Sequence, residues 1–435
     1  MRRLGRLAVW TTGRIRRVVP LALLVAALLG GPELAADSRP APRPEATLAA
    51  RAGLDPARLA LIRPRMQELV EAGRIAGAVT LVARQGVVAH HEAVGYRELE
   101  SKRPMEKDSI FQIMSMTKPV TGLGIMMLAE DGRLGLLDPV QKYLPEWKAA
   151  KVRTNSLGSG PNVGKLVDPD RAITIRDLMT HTAGLSDYPP ELQVYTKMDV
   201  SLEEAVKATA QLPLLFSPGE RWSYCNTCIA TLGRIIEVVS GKRYEDFLQE
   251  RLFTPLGMKD TFFFAPEAKT SRIALVYRVK DGRLERSPAS ILGGDAALYR
   301  KGARYPGPDF ALYSTAGDLA RLYQMVLDRG LLEGRRYLSA AAIELMTTVQ
   351  TGSLPVAGWK PGSGFGLTFE VIKDPLGTAA FYSAGTFGHG GAFGTVGWID
   401  PARRLITILL IQRSEGGDAD ERNALQALAA SAVRD

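Results

Sequence analysis

An α+β fold, with one antiparallel sheet drawn from both ends of the chain and a mainly helical region inserted between them, follows from three observations on these 435 residues. In AGAVTLVARQGVVAHHEAVGYRE two β-rich runs alternate about a Gln85-Gly86 turn, which predicts a hairpin. Near the other end, GTVGWIDP and RRLITILLIQ predict two more strands about Asp400-Pro401. Between about 107 and 360 the apolar spacing is mostly helical, and no internal repeat interrupts it. The two termini must therefore meet in one sheet.

The elements can be taken in order. MRRLGRLAVWTTGRIRR is a basic leader, VVPLALLVAALLGG is an apolar run, and Leu34-Ala35-Ala36 offers small residues before a polar segment. Residues 1–36 are thus expected to be a signal peptide cleaved near Ala36, which places the mature protein in the periplasm or outside the cell with no membrane span after cleavage. The apolar run is shorter than the roughly 20 residues a span needs. Residues 37–54, rich in Pro, Ala and Arg, read as a linker. The folded part begins at Asp55-Pro56, an N-cap followed by proline, with a helix to about Glu71 and a kink at Pro64. Residues 55–106 and 361–435 then form the sheet-containing region, closed by a helix from about Ala419 to Val433. Residues 107–360 form the helical region, so the boundary is discontinuous and the two parts make one catalytic unit.

Composition narrows the function. The chain is 46% hydrophobic and 23% charged, ordinary for a globular protein. More than half of its formal charge of +9 sits in the leader, so nothing argues for nucleic acid. Four histidines and two cysteines so placed make no zinc set. GSGPNVGKL imitates a phosphate loop, but its glycine spacing is one too long and Leu166 follows the lysine. No metal or cofactor is implied. No G-x-S-x-G occurs, which argues against an α/β-hydrolase.

The chemistry is carried by FQIMSMTKPV. On a helix, residues three apart are neighbours, so Ser115 and Lys118 place an amine beside a hydroxyl. A serine hydroxyl becomes a nucleophile when a base removes its proton, and a lysine can share that work where desolvation or a nearby cation lowers its pKa. S-x-x-K alone is common by chance. Two further pieces accompany it. RWSYCNTCIATLGRIIEVVSG sets Tyr224 and Asn226 just ahead of a helix, where a phenol can pass protons. In FGHGGAFGTVGWIDP, His389, Gly390 and Gly391 precede the last hairpin, and glycines there let another backbone approach closely.

In the order S-x-x-K, Y-x-N, H-x-G, these pieces resemble the signature of the penicillin-recognising serine enzymes: class C β-lactamases, D-alanyl-D-alanine carboxypeptidases and the carboxylesterases of the same fold. ITIRDLMTHTAGL, PLGMKDTFF, STAGDLARLYQMVL and IELMT extend the resemblance over about residues 55–415. It implies a β-lactamase/transpeptidase-like fold, Ser115 as the acylated nucleophile, Lys118 and Tyr224 as the base system, and Asn226 as a substrate and lysine contact. It also implies an oxyanion site made by the backbone N–H groups of Ser115 and Ala392.

The chain departs from its relatives in two places. Many carry lysine where His389 stands, and that lysine binds a substrate carboxylate; a neutral imidazole is a weaker anchor. Many also have a glycine-rich stretch before the STA motif, whereas here it is YPGPDFALY, which is expected to border the site. A carboxylesterase on small esters is the first expectation, with a β-lactamase or D-alanyl-D-alanine carboxypeptidase as the alternative. A non-turnover module that only binds penicillin or peptidoglycan is the second alternative. His181 reads as a hydrogen-bonded structural residue, and His90 and His91 as strand packing. Cys225 and Cys228 form either a local disulfide staple or two free thiols.

Overall fold

The computed structural model describes residues 44–154, 164–287, 302–356, 359–414 and 420–434. The expected signal peptide lies outside them, as do residues 37–43. Residues 43–435 form one compact unit. Among the described residues no helix is long and apolar enough to cross a membrane.

Eight strands form one antiparallel sheet. In chain order they are β1 (Gly77–Arg84), β2 (Val87–Glu98), β3 (Arg103–Pro104), β4 (Ser363–Phe365), β5 (Glu370–Ile372), β6 (Phe387–Gly390), β7 (Val396–Asp400) and β8 (Leu405–Leu410). Their spatial order is β4-β5-β6-β7-β8-β1-β2-β3. The two chain ends meet where β1 pairs with β8, with Leu81 opposite Ile408. Gln85 and Gly86 both adopt positive φ, 53° and 79°, the geometry of a two-residue hairpin turn that matches strand twist.

Strand β1 is buried along almost its whole length because both faces of the sheet are covered. Val79, Leu81 and Ala83 join Ile406, Ile408 and Leu410 in the larger core. Ala78 and Val82 join Leu405 and Leu409 in a smaller core, closed by Leu59, Ile62, Met66, Leu425 and Ala429. These come from helices α2 (Pro56–Leu59), α3 (Ile62–Glu71) and α7 (Asp420–Ser431), which follow α1 (Pro44–Arg51).

Two expectations at this end need correction. Residues 44–51 are helix α1 and not linker. Ala49, Ala52 and Leu54 are buried, and Asp55 N–H donates to the Ala432 carbonyl at 2.7 Å. Alanine-rich sequence after a proline is as good a helix start as it is a linker, and the small side chains let the segment pack closely. The helix expected from Asp55 is broken at Ala60-Leu61, not kinked at Pro64. Asp55 caps α2, accepting from the N–H groups of Ala57 and Arg58, and Pro64 falls in the first turn of α3, where its missing N–H costs nothing.

The inserted region is organised by α4 (Thr117–Glu130), whose residues 117–128 are all buried. A helix apolar on every side must sit in the middle of the fold. It packs on α5 (Asn226–Ser240), while α6 (Ala316–Leu327) covers the sheet at β8. Truncating a fully buried α4 side chain such as Leu123 to alanine should cost about 2–5 kcal/mol. A short strand pair, Phe111–Gln112 with Tyr313–Ser314, lies just before Ser115, so the region is less purely helical than its spacing predicts.

Candidate active site

Ser115 sits in a 3-10 turn, Met114–Met116, wedged between the Phe111–Gln112 strand and α4. Met114 is held at φ 51°, an uncommon conformation for a non-glycine residue and one that concentrates at functional turns. The Met114 carbonyl accepts from the Thr117 hydroxyl at 2.6 Å, which in turn accepts from Leu312 N–H at 3.2 Å. One turn into α4, the Lys118 amine is completely buried and lies 3.0 Å from the Ser115 hydroxyl. It also donates to the Asp309 carbonyl at 2.8 Å. Burial disfavours the ammonium and pulls the Lys118 pKa below the usual amine range, while the charges of Asp309 and Asp187 push it back up.

The second segment arrives through His181. That residue adopts φ 60°, its carbonyl accepts from Ser223 N–H at 2.9 Å, and its Nδ1 accepts from Cys225 N–H at 3.2 Å. These two bonds clamp residues 223–225 and fix the aim of Tyr224, so the structural reading of His181 stands with a definite task. Lys118 Nζ lies 4.8 Å from the centre of the Tyr224 ring. Burial drives the Tyr224 pKa far up, against a smaller opposing influence of the Ser115 hydroxyl, so the phenol keeps its proton. Cys225 and Cys228 are joined in a disulfide with Cα atoms 5.3 Å apart, at the start of α5.

Asn226 is also placed beside the site. Its amide donates to the Tyr195 hydroxyl at 2.9 Å, and that hydroxyl donates to Asp187 at 3.0 Å. The amide nitrogen is committed to Tyr195, and the Lys118 amine is held by the Ser115 hydroxyl and the Asp309 carbonyl.

The third segment is the end of β6. Thr395 donates to the Ile113 carbonyl at 3.0 Å, which lashes the turn after Gly390 to the strand that leads into Ser115. Gly391 N–H donates to the Thr395 carbonyl at 2.7 Å and closes this turn, with Ala392 exposed at its tip. A Cβ at Gly391 would collide with the Thr395 hydroxyl and the Ile113 carbonyl, so the close approach requires glycine. His389 is fully buried; its Nδ1 lies 2.6 Å from the Gly390 carbonyl and must carry the proton, which leaves Nε2 as a bare lone pair without a partner. Burial, with the Lys118 charge adding to it, holds the imidazole down to about 3, so it is neutral.

Sequence reasoning missed the walls. Tyr224 stacks on Trp359, ring centres 4.7 Å apart, and Trp222 and Phe365 pack 4.9 Å from each other beside it. Across the lysine, Tyr188, Tyr195 and Tyr305 surround the buried Asp309. The only signal for these in the sequence was the aromatic, acidic loop YPGPDFALY. No group of acidic, histidine or cysteine side chains among the described residues could hold a metal ion.

A serine and a buried lysine from one turn, with a phenol brought to them from a distant segment, have known counterparts. A family model described as beta-lactamase matches residues 61–431. The chain belongs to the β-lactamase family. Within that family, the Rv1367c protein of Mycobacterium tuberculosis is 33% identical over 362 residues, 80% of this chain and 88% of the relative. Esterase EstB of Burkholderia gladioli is 28% identical over 368 residues, 79% of this chain and 88% of EstB. Among solved structures, EstCE1, a hydrolase with promiscuous acyltransferase activity, superposes with a TM-score of 0.73 at 26% identity, covering 86% of this chain and 99% of EstCE1. The chain is a serine hydrolase of the β-lactamase fold.

Proposed function

We propose that the protein is exported, works through an acyl-enzyme on Ser115, and acts best on small neutral esters. The observation that carries this reading is the buried Lys118 amine 3.0 Å from the Ser115 hydroxyl, in a site where the neighbouring imidazole of His389 is uncharged. Lys118 in its neutral form takes the Ser115 proton as Oγ attacks the ester carbonyl. The backbone N–H groups of Ser115 and Ala392 receive the oxyanion. Tyr224, protonated throughout the resting state, hands its proton to the leaving alkoxide and is refilled from Lys118. Water then repeats the cycle on the acyl-enzyme.

Ester preference follows from charge. A carboxylate-bearing β-lactam or D-peptide meets neutral His389, with no cation in the lysine's usual place. Losing such a charge-assisted contact costs roughly 1.5 to 3 kcal/mol, or about ten- to more than a hundredfold. EstB and EstCE1 are an esterase and a hydrolase by name, which supports the same substrate class. β-Lactam or D-alanyl-D-alanine hydrolysis is the second reading, favoured by the same serine, lysine and tyrosine geometry.

A panel of p-nitrophenyl esters, nitrocefin and a D-Ala-D-Ala peptide separates the two. The short-chain esters should show the highest kcat/KM, Ser115→Ala should abolish turnover, and a fluorophosphonate should add mass to the Ser115 peptide alone. Higher efficiency on nitrocefin or the peptide overturns the ester reading; labelling at another serine overturns the nucleophile. Export is tested by the mass of the mature protein, which should lack about residues 1–36.

A further inference from the structure

Behind the base lies an acid that the chemistry above does not use. The carbonyl to which Lys118 donates belongs to Asp309, whose side chain is also completely buried. Its Oδ1 accepts from the Tyr188 hydroxyl at 3.2 Å and the Tyr305 hydroxyl at 3.3 Å, and these two hydroxyls are 2.7 Å apart. Its Oδ2 is buried with no hydrogen-bond partner. A carboxylate so poorly satisfied in a dry site needs a cation nearby or must take up a proton.

The cation at hand is Lys118. After burial itself, each member of this pair is the largest influence on the other's ionisation. The other groups facing the lysine are weaker or uncharged: Asp187 from the neighbouring loop, the Tyr224 ring, and the neutral imidazoles of His181 and His389. The loop that carries Asp309 cannot drift away. Thr117 accepts from Leu312 N–H at 3.2 Å and Thr121 donates to the Pro308 carbonyl at 2.7 Å, so three residues along one side of α4 grip residues 308–312.

We propose that Asp309 is a positioning residue for the reaction: bonded through its carbonyl to the Lys118 amine, it holds a buried carboxyl close behind that amine, and this carboxyl sets the pH at which Lys118 can accept the Ser115 proton. The proposal rests on Lys118 being the base. In the step it assists, the Ser115 O–H bond breaks, an N–H bond forms on Lys118, and the freed Oγ electron pair attacks the carbonyl. Asp309 exchanges no proton; ionised, it leaves the pair neutral once Lys118 has become an ammonium.

The test is the pH profile of kcat/KM on a p-nitrophenyl ester, with the full mature chain. Removing the anion in Asp309→Asn removes what favours the ammonium, so the neutral amine persists to lower pH. The acid limb should move down by about one pH unit or more. On the plateau kcat should fall at least about tenfold while KM changes little, because Asp309 does not touch substrate. Tyr188→Phe takes one donor from the ionised carboxyl and should move the limb the same way by less, which keeps the test open if the asparagine variant does not fold. A limb that stays in place or moves up in a folded variant overturns the proposal and leaves Lys118 as the base. Lys118→Ala retaining more than about a tenth of wild-type turnover would instead remove the base reading itself.

Discussion

Gly391 shows how much of the site depends on one missing atom. The Gly391 turn abuts Ile113, two residues before Ser115, only because no Cβ intervenes. Gly391→Ala should push that turn away from Ser115 and lower kcat/KM by more than about tenfold, since small misplacements of reacting groups are costly. Its thermal midpoint should fall by only a few degrees, and an alanine variant with wild-type kcat would show that the turn contributes nothing to the site. His389→Lys tests the neighbouring residue. A second ammonium beside Lys118 should shift the ratio of activities towards carboxylate-bearing substrates, and an unchanged ratio would remove His389 as the determinant.

At the scale of elements, the candidate catalytic groups are presented by the starts of helices. Lys118 lies in the first turn of α4, and Tyr224 and Asn226 flank the start of α5, whose first turn is stapled by Cys225 and Cys228. A loop this short adds about 2 kcal/mol in the chain-entropy account. Replacing both cysteines by alanine should therefore cost about that much in denaturant melts and lower turnover by loosening Tyr224. Intact-mass analysis of the mature protein should show two protons missing and no free thiol after denaturation; two titratable thiols would refute the staple.

Across the whole molecule the four histidines share one behaviour: burial lowers the pKa of each. His90, bonded to the Thr80 hydroxyl at 2.8 Å, is held down to about 4 against about 6.5 in an unfolded chain. Such a group contributes stability that is fully present above pH 6.5 and is lost as pH falls towards 4, because the unfolded state binds the proton first. Half-buried Glu237 and buried Asp309 and Asp318 have raised pKa values and offset part of this loss. Comparing His90→Gln with wild type isolates one histidine. Between about pH 6 and 4.5 its unfolding free energy should fall with acid less steeply, by about 1.4 kcal/mol per pH unit. Equal slopes would mean that His90 is already charged in the folded protein.

The chain's local pattern was enough to determine that both ends share an antiparallel sheet, because β-rich apolar runs bounded by turn residues at β1, β2, β7 and β8 are a local property of the sequence. The Ser115, Lys118 pair was legible for the same reason, as a spacing within one turn. Helix α1 was hidden because alanine and proline serve both helix starts and linkers, and only packing against β2 and α2 decides between them. Asp309, the residues that His181 clamps and the Asn226 to Tyr195 bond were hidden more deeply. Lys118 and Asp309 are 191 residues apart in the chain, and no local pattern couples residues at that distance. Sequence determined which groups could do chemistry. Tertiary structure alone decided which of them are dry, paired or left without a partner, because desolvation and charge act through space and not along the chain.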